Sequence, residues 1–262
     1  MAVAIAEIFG DGILQGEGTR MGVPSVFIRL GGCNLTCKGF GCTLTSPKTQ
    51  ETIIGCDSIF AVSTHFKQQW EYFDKSTDLI NVILSNINVN NKPGNSEKPD
   101  IVFTGGEPLI HHTDPVLLET LEYFTSRGYT IYFETNGTQY IDFNKYDVYK
   151  KVSFTLSVKM SASGEDKNKR WKPEVVNNYL KYTNGSYFKF VLSANSIEQD
   201  SKEIFEFLEQ VPTFGVVYCM PLGGTIKELE SNAKAVYEFA ANNGFRYSDR
   251  LHIRIYNDLQ GV

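Results

Sequence analysis

No apolar run in these 262 residues approaches the roughly 18–20 that a membrane-spanning helix requires. Positive charge is not in excess either. The 25 Lys and Arg stand against 30 Asp and Glu, a formal net charge of −5, which argues against a chain built around a basic nucleic-acid footprint. The opening Met1-Ala-Val-Ala-Ile-Ala-Glu-Ile lacks a basic segment ahead of a long apolar one, so no secretory leader is predicted and the expected location is cytoplasmic. Cysteine is sparse and odd in number: Cys33, Cys37, Cys42, Cys56 and Cys219, whereas a secreted disulfide scaffold shows an even set in a smaller chain. There is no internal repeat and no Cys-x2-Cys pair of the kind found in many zinc sites.

What is present is alternation. Six short β-rich runs, at 25–30, 101–104, 129–133, 152–156, 187–192 and 216–220, are separated in several places by helical patterns, and a seventh β-like run lies at 251–255. Asp114-Pro115 reads as the N-cap and first-turn proline of a helix that carries Leu117, Leu118, Leu121 and Phe124 and stops at Gly128. Thr225 and Glu228 form a capping-box signature ahead of Leu229, Ala233, Val236 and Ala240. Leu79, Ile80, Ile83, Leu84 and Ile87 share one face of a further helix. Strands alternating with helices predict an α/β fold with a parallel sheet. About six strands are fewer than the eight of a full TIM barrel, so a partial, open TIM-type barrel is expected. The length suits one domain, 1–262, with an inserted segment at about 43–100 that holds one helix and ends in a polar, turn-rich loop at 86–99.

Gly32-Cys33-Asn34-Leu35-Thr36-Cys37 follows directly on the run ending at Leu30. That places two thiols at the C-terminal mouth of a parallel strand, where barrel enzymes keep their chemistry. Crowded thiols in a cytoplasmic chain point to metal or redox work. Three thiolates leave one iron of a four-iron cluster open to a ligand, while four close it. The third thiolate is either Cys42, in Lys38-Gly39-Phe40-Gly41-Cys42, or Cys56, in Gly55-Cys56-Asp57-Ser58; a structural zinc site is the plainer reading of the same four residues. Cys219, inside an apolar run, reads as an ordinary buried thiol. In Thr104-Gly105-Gly106-Glu107-Pro108 two glycines let a ligand approach the backbone and the proline sets the turn. Arg29 carries a planar fork suited to a carboxylate, or else makes a cross-strand pair. The glycine-rich loop around Leu14-Gln15-Gly16 lacks the lysine and serine of a Walker phosphate loop. His111 and His112 read as a solvated loop cap.

Gly10-Asp-Gly-Ile-Leu-Gln-Gly-Glu-Gly18, Gly22-Val-Pro24 and Phe27-Ile-Arg-Leu-Gly-Gly-Cys-Asn-Leu-Thr-Cys37 together resemble the 7-carboxy-7-deazaguanine synthase family of radical S-adenosylmethionine (SAM) enzymes. The Gly-Gly-Glu-Pro segment, Glu134-Thr-Asn-Gly137, Ser157-Val-Lys159 and Arg250-Leu-His-Ile253 follow in that family's order, so the resemblance spans nearly the whole chain. It implies a radical SAM fold with a [4Fe-4S] cluster, SAM and Mg2+ as cofactors. The family's third cysteine closes a Cys-x3-Cys-x2-Cys motif and is followed by Asp-Thr. No cysteine stands at that spacing here, but Cys56-Asp57-Ser58 repeats the context after an apparent insertion of 38–55. The resemblance therefore assigns Cys33, Cys37 and Cys56 to the cluster and Ser58 to magnesium; with Cys42 as the third ligand, Thr43 takes the magnesium role. It places SAM on Gly55, Asp57, Gly105, Gly106, Glu107, Ser157, Lys159, Met220 and Pro221, and the substrate on Leu14, Gln15, Gly16, Arg29, Thr104 and Val262.

The implied reaction is ring contraction of 6-carboxy-5,6,7,8-tetrahydropterin to 7-carboxy-7-deazaguanine with loss of ammonia, in 7-deazaguanine (queuosine-type) biosynthesis. Reductive cleavage of SAM starts it, and no residue is assigned as general acid or base. The implied partners are an electron donor such as flavodoxin and a second copy of the chain in a homodimer, with no direct nucleic acid and no membrane. A small glycyl-radical activating enzyme shares the cluster and Gly-Gly-Glu-Pro, but needs neither the Gln-Gly-Glu-Gly loop nor Arg-Leu-His-Ile.

Overall fold

Apolar runs without polar alternation must be covered on both faces, and here they become the strands of a mostly parallel sheet. The computed structural model describes residues 2–87, 98–259 and 261. Its strands are β1 (Val3–Phe9), β2 (Ser25–Leu30), β3 (Cys42–Thr45), β4 (Thr52–Gly55), β5 (Glu71–Phe73), β6 (Asp100–Gly105), β7 (Ile131–Thr135), β8 (Ser153–Leu156), β9 (Tyr187–Leu192), β10 (Val216–Pro221) and β11 (Arg246–Tyr247). The helices are α1 (Ile59–Val62), α2 (Ser76–Ile87), α3 (Pro115–Ser126), α4 (Lys167–Arg170), α5 (Pro173–Tyr182), α6 (Ile197–Glu209), α7 (Ile226–Asn242) and α8 (Leu251–Tyr256).

Nine strands form one sheet in the order β11-β10-β9-β8-β7-β6-β2-β1-β5. Strands β2 and β6 to β11 run parallel, and β1 and β5 add antiparallel to the β2 edge. The end strands β11 and β5 do not pair, so the sheet is an open, partial barrel whose six long parallel strands are those expected from the sequence. Phe103, Phe133 and Phe154 stack across β6, β7 and β8 with centroids 5.0 and 5.6 Å apart. All three are fully buried, each stabilising the fold by about 1.5–3 kcal/mol relative to exposure. The helix starts behave as their sequences require. Asp114 accepts the Val116 N–H at 2.9 Å to cap α3, and Thr225 accepts the Glu228 N–H at 3.3 Å to cap α7.

Register decides what meets at the carboxyl edge. Arg29 pairs with Thr104 and Leu30 with Gly105, so the cysteine loop leaving β2 lies beside the Gly-Gly turn leaving β6. The run at 251–255 is not a strand. It forms α8, in which Ile253 is buried while Ile255 is 61% exposed, and the Leu251 N–H donates to the Gly16 carbonyl at 2.9 Å. The alternating Leu, Ile and Ile imitate a strand, but the chain here turns over the cavity instead of extending, and the two-residue β11 takes the seventh parallel place. The stretch 43–100 holds more than one helix: the β3–β4 hairpin, α1, β5 and α2. Of the loop at 86–99, residues 88–97 lie outside the described residues. No helix among the described residues is long and apolar enough to cross a membrane.

Candidate active site

Beyond Leu30 the backbone is tied down before the first cysteine. Gly31 N–H donates to the Ala4 carbonyl and Gly32 N–H to the Ala61 carbonyl, at 2.8 and 2.7 Å. Cys33, Cys37, Cys42 and Cys56 are all free and all line one cavity of about 300 Å3 at the carboxyl edge of the sheet. Insertion 38–55 reaches Cys56 by a hairpin, in which Cys42 on β3 lies opposite Gly55 on β4. Burial pushes the Cys33 and Cys56 thiols up to about 12, with the negative charge of Glu107 adding to it at Cys33 and that of Asp57 at Cys56. Burial also raises Cys37. Burial and Asp57 raise Cys42. Such thiols stay protonated until a cation replaces the proton, which is the chemistry of a metal ligand. Among the described residues no three His, Cys, Asp or Glu side chains are close enough to hold a single metal ion.

The Gly-Gly turn packs against this loop without slack. A Cβ on Gly105 would come within 2.5 Å of the Leu30 nitrogen, and one on Gly106 within 2.0 Å of the Gly32 carbonyl. Glu107 does not face the cavity. Fully buried, it accepts from Asn136 N–H (2.7 Å), Thr135 Oγ1 (2.7 Å) and Leu109 N–H (3.1 Å), and burial lifts its carboxyl to about 6 against those bonds. It braces the turn from behind. Gly55 and Pro221 likewise lie outside the lining, whereas Asp57, Gly105, Gly106, Ser157, Lys159 and Met220 belong to it. Lys159 Nζ donates to Ser157 Oγ at 2.9 Å. His111 and His112 are half-buried on the Gly31 and Leu109 carbonyls, away from the lining.

The rest of the lining is largely ionic. Leu14, Gln15, Gly16, Arg29, Ser58 and Thr104 belong to it as expected; Gly261 does too, and Val262 lies outside the described residues. Arg29 pairs with Glu7 across the strands at 3.3 Å and donates to Ser58 Oγ at 3.2 Å, its guanidinium lying 5.8 and 5.6 Å from the Phe9 and Phe60 rings. The cross-strand pair expected of Arg29 is thus made with Glu7, and Arg29 also belongs to the cavity lining. Buried Glu17 receives Lys189 at 2.8 Å and Arg250 at 3.0 Å; Arg250 also reaches Asp57 at 3.3 Å. Burial alone would raise the Glu17 carboxyl, but Lys189, Arg250 and His252 hold it well below the usual carboxylate range. Burial would likewise lower Lys189, and Glu134 with Glu17 holds it above the usual ammonium range. Asp57 is half exposed, and Arg250 and Arg29 outweigh its desolvation to keep its carboxyl low. Thr104 donates to Glu134 at 2.9 Å.

Sequence reading gave no role to Glu17, Glu134, Lys189, Arg250 or His252. Four of them sit inside motifs quoted above. Lys189 carries its own signal, a charge between Phe188 and Phe190 on a strand with no exposed residue.

Four thiols gathered at the carboxyl edge of a partial barrel suit an iron–sulfur enzyme. The family model described as "4Fe-4S single cluster domain" matches residues 14–179, and the chain belongs to that family. Within it the chain is a member of the 7-carboxy-7-deazaguanine synthase family. The protein of that name from Halobacterium salinarum is 30% identical over 98% of this chain and 91% of its own length, and that from Pyrobaculum aerophilum 27% identical over 99% and 97%. Among solved structures, QueE from Escherichia coli superposes with a TM-score of 0.62 at 23% identity, covering 96% of this chain and 95% of that one. Streptococcus suis SuiB gives 0.51 at 12% identity over 87% of this chain and 48% of that one. These two likenesses speak for the fold.

Proposed function

We propose that this chain is a radical SAM lyase that contracts 6-carboxy-5,6,7,8-tetrahydropterin to 7-carboxy-7-deazaguanine with release of ammonia. The observation that carries the reading is one cavity, at the carboxyl ends of parallel strands, lined by four thiols together with charge-paired polar groups. Cys33, Cys37 and Cys56 would hold the cluster: all three line the cavity, and Cys56-Asp57-Ser58 repeats the context of the family's third cysteine, with Cys42 of the same lining as the alternative. Their number leaves one iron for the SAM amino and carboxylate groups. Gly105 and Gly106, which seat the turn against the cysteine loop, would present their backbone to SAM from the lining; Ser157, Lys159 and Met220 complete its side. When bound, cluster and SAM supply the one-electron chemistry, which the protein orients and shields from water.

The residues of the ionic side fit an anionic bicycle. Arg29 presents its fork to the substrate carboxylate. Gln15 and the ionised Glu17 offer acceptors to the amine and amide edge of the pterin, and Leu14, Gly16 and Thr104 close around it. Ser58 and Asp57 supply the oxygen donors that magnesium prefers. Arg29 already donates to Ser58, so magnesium competes for that oxygen and needs substrate oxygens as well. The chain would act as a single domain in the cytoplasm, as a homodimer served by an electron donor such as flavodoxin. The test is anaerobic reconstitution with iron and sulfide, then incubation with SAM, reductant and the carboxypterin, with and without magnesium. The expected result is a product of the mass of 7-carboxy-7-deazaguanine, dependent on SAM and raised by magnesium; SAM cleavage with no change in the pterin would defeat the substrate assignment.

A further inference from the structure

Glu165 follows Cys37 by 128 residues and belongs to no motif, yet it grips the cysteine loop. One carboxylate oxygen accepts the Cys37 N–H at 2.7 Å, the Thr36 hydroxyl at 2.6 Å and the Thr36 N–H. Cys37 is held there with φ 49 and ψ 46, a left-handed conformation unfavourable to a residue with a β-carbon. Consecutive N–H groups next to such a residue form a concavity that attracts an anion.

The segment presenting Glu165 is itself braced. Ser161 N–H and Arg170 both donate to Glu203 at 2.8 Å, and Arg170 also donates to the carbonyls of Glu165 and Lys159 at 3.1 Å. The turn after Cys37 seats against it so closely that a Cβ on Gly39 would lie 2.1 Å from the Ala162 carbonyl. One rigid stretch therefore carries Lys159 at one end and the support of Cys37 at the other.

Hydrogen bonds to a cluster's sulfurs and charge beside it both set its reduction potential. An acceptor that takes the Cys37 N–H removes a donor from the sulfur, and its negative charge opposes the arrival of an electron. Both effects have the same sign. We infer that Glu165 is a positioning residue that holds the Cys37 loop in its ligating conformation and makes the cluster harder to reduce. This rests on the reading of Cys37 as a cluster ligand.

The experiment compares reconstituted wild-type protein with Glu165→Gln, Glu165→Asp and Glu165→Ala by iron analysis and potential-poised electron paramagnetic resonance, and measures amide exchange at Cys37 in the iron-free chains. Glu165→Gln keeps an acceptor and should keep its iron, yet at the wild-type midpoint its ratio of reduced to oxidised cluster should rise about five-fold, solvent screening part of the lost charge. Glu165→Asp retains the charge and should stay closer to wild type, which serves as the reference if the glutamine variant folds poorly. Glu165→Ala should exchange the Cys37 amide faster and hold less iron. An unchanged ratio in Glu165→Gln would overturn the electrostatic role, and unchanged exchange in Glu165→Ala the positioning role. If instead Cys37→Ala keeps a full cluster, the ligand reading has failed, and amide exchange in the iron-free chain still decides whether Glu165 holds the loop.

Discussion

The two sides of the cavity lining are built by opposite rules. The thiol side consists of loops: Cys33 and Cys37 after β2, and Cys56 after a hairpin, with neutral side chains held in place through backbone hydrogen bonds. The ionic side takes Lys189 from β9 and Arg29 from β2, joins them to Glu17 and Arg250 outside the regular elements, and has its charges already satisfied by one another. The first side waits for a cation to complete it. The second is complete, and so contributes to the stability of the empty protein. A change at the thiols should therefore abolish chemistry with little effect on folding, whereas a change in the ion pairs should also lower stability, in proportion to burial.

The sharpest way to break this contrast is on the thiols. Replacing Cys33, Cys37 or Cys56 with alanine should remove the brown chromophore and SAM cleavage entirely, while the urea midpoint of the iron-free chain stays near wild type. Cys42→Ala should retain both colour and cleavage. A dead Cys42→Ala beside an active Cys56→Ala would exchange the third ligand and move magnesium to Thr43.

Next in size is the buried ion network. Lys189→Ala leaves Glu17 with one cation fewer in the interior, and truncating one partner of a buried pair costs about 3–5 kcal/mol, to be read by urea unfolding of the iron-free chain. The same network gives a pH dependence of known sign. Glu17 stays ionised in the fold, while in the unfolded chain it takes up a proton near its ordinary value of 4.5. The stabilisation is thus full above that value and declines as pH falls below it. Glu17→Gln should flatten this acid limb; a limb of unchanged slope would show that the pairs do not form in solution.

The smallest effect is expected at Arg29, on the ionic side. Its alanine variant should still cleave SAM slowly without coupling, but lose about 1.5–3 kcal/mol of binding to the carboxypterin, roughly ten- to hundred-fold. The descarboxy analogue should bind wild type and variant equally. An unchanged preference for the acid would reduce Arg29 to the partner of Glu7.

The strands of the barrel, the caps of α3 and α7, and the position of the first two cysteines could be read directly, because each depends on neighbours in sequence: an uninterrupted apolar run, an Asp-Pro start, a glycine turn. The run at 251–255 shows the limit of that reading. Its alternation fits a strand, and only docking onto Gly16 across the cavity makes it a helix.

By itself, then, the sequence determined the parallel α/β frame, the thiol loop after β2 and the Gly105-Gly106 turn beside it, since local patterning and strand ends dictate these. Tertiary structure alone decided that Glu17 meets Lys189 across 172 residues, that Glu165 grips Cys37, and that Cys42 and Cys56 both return to the cavity of Cys33 and Cys37. Those pairings are set by the sheet's order and by where the hairpin returns the chain. Charge and hydrogen bonding act through space, and the sequence does not record which distant residues the fold will bring within their reach.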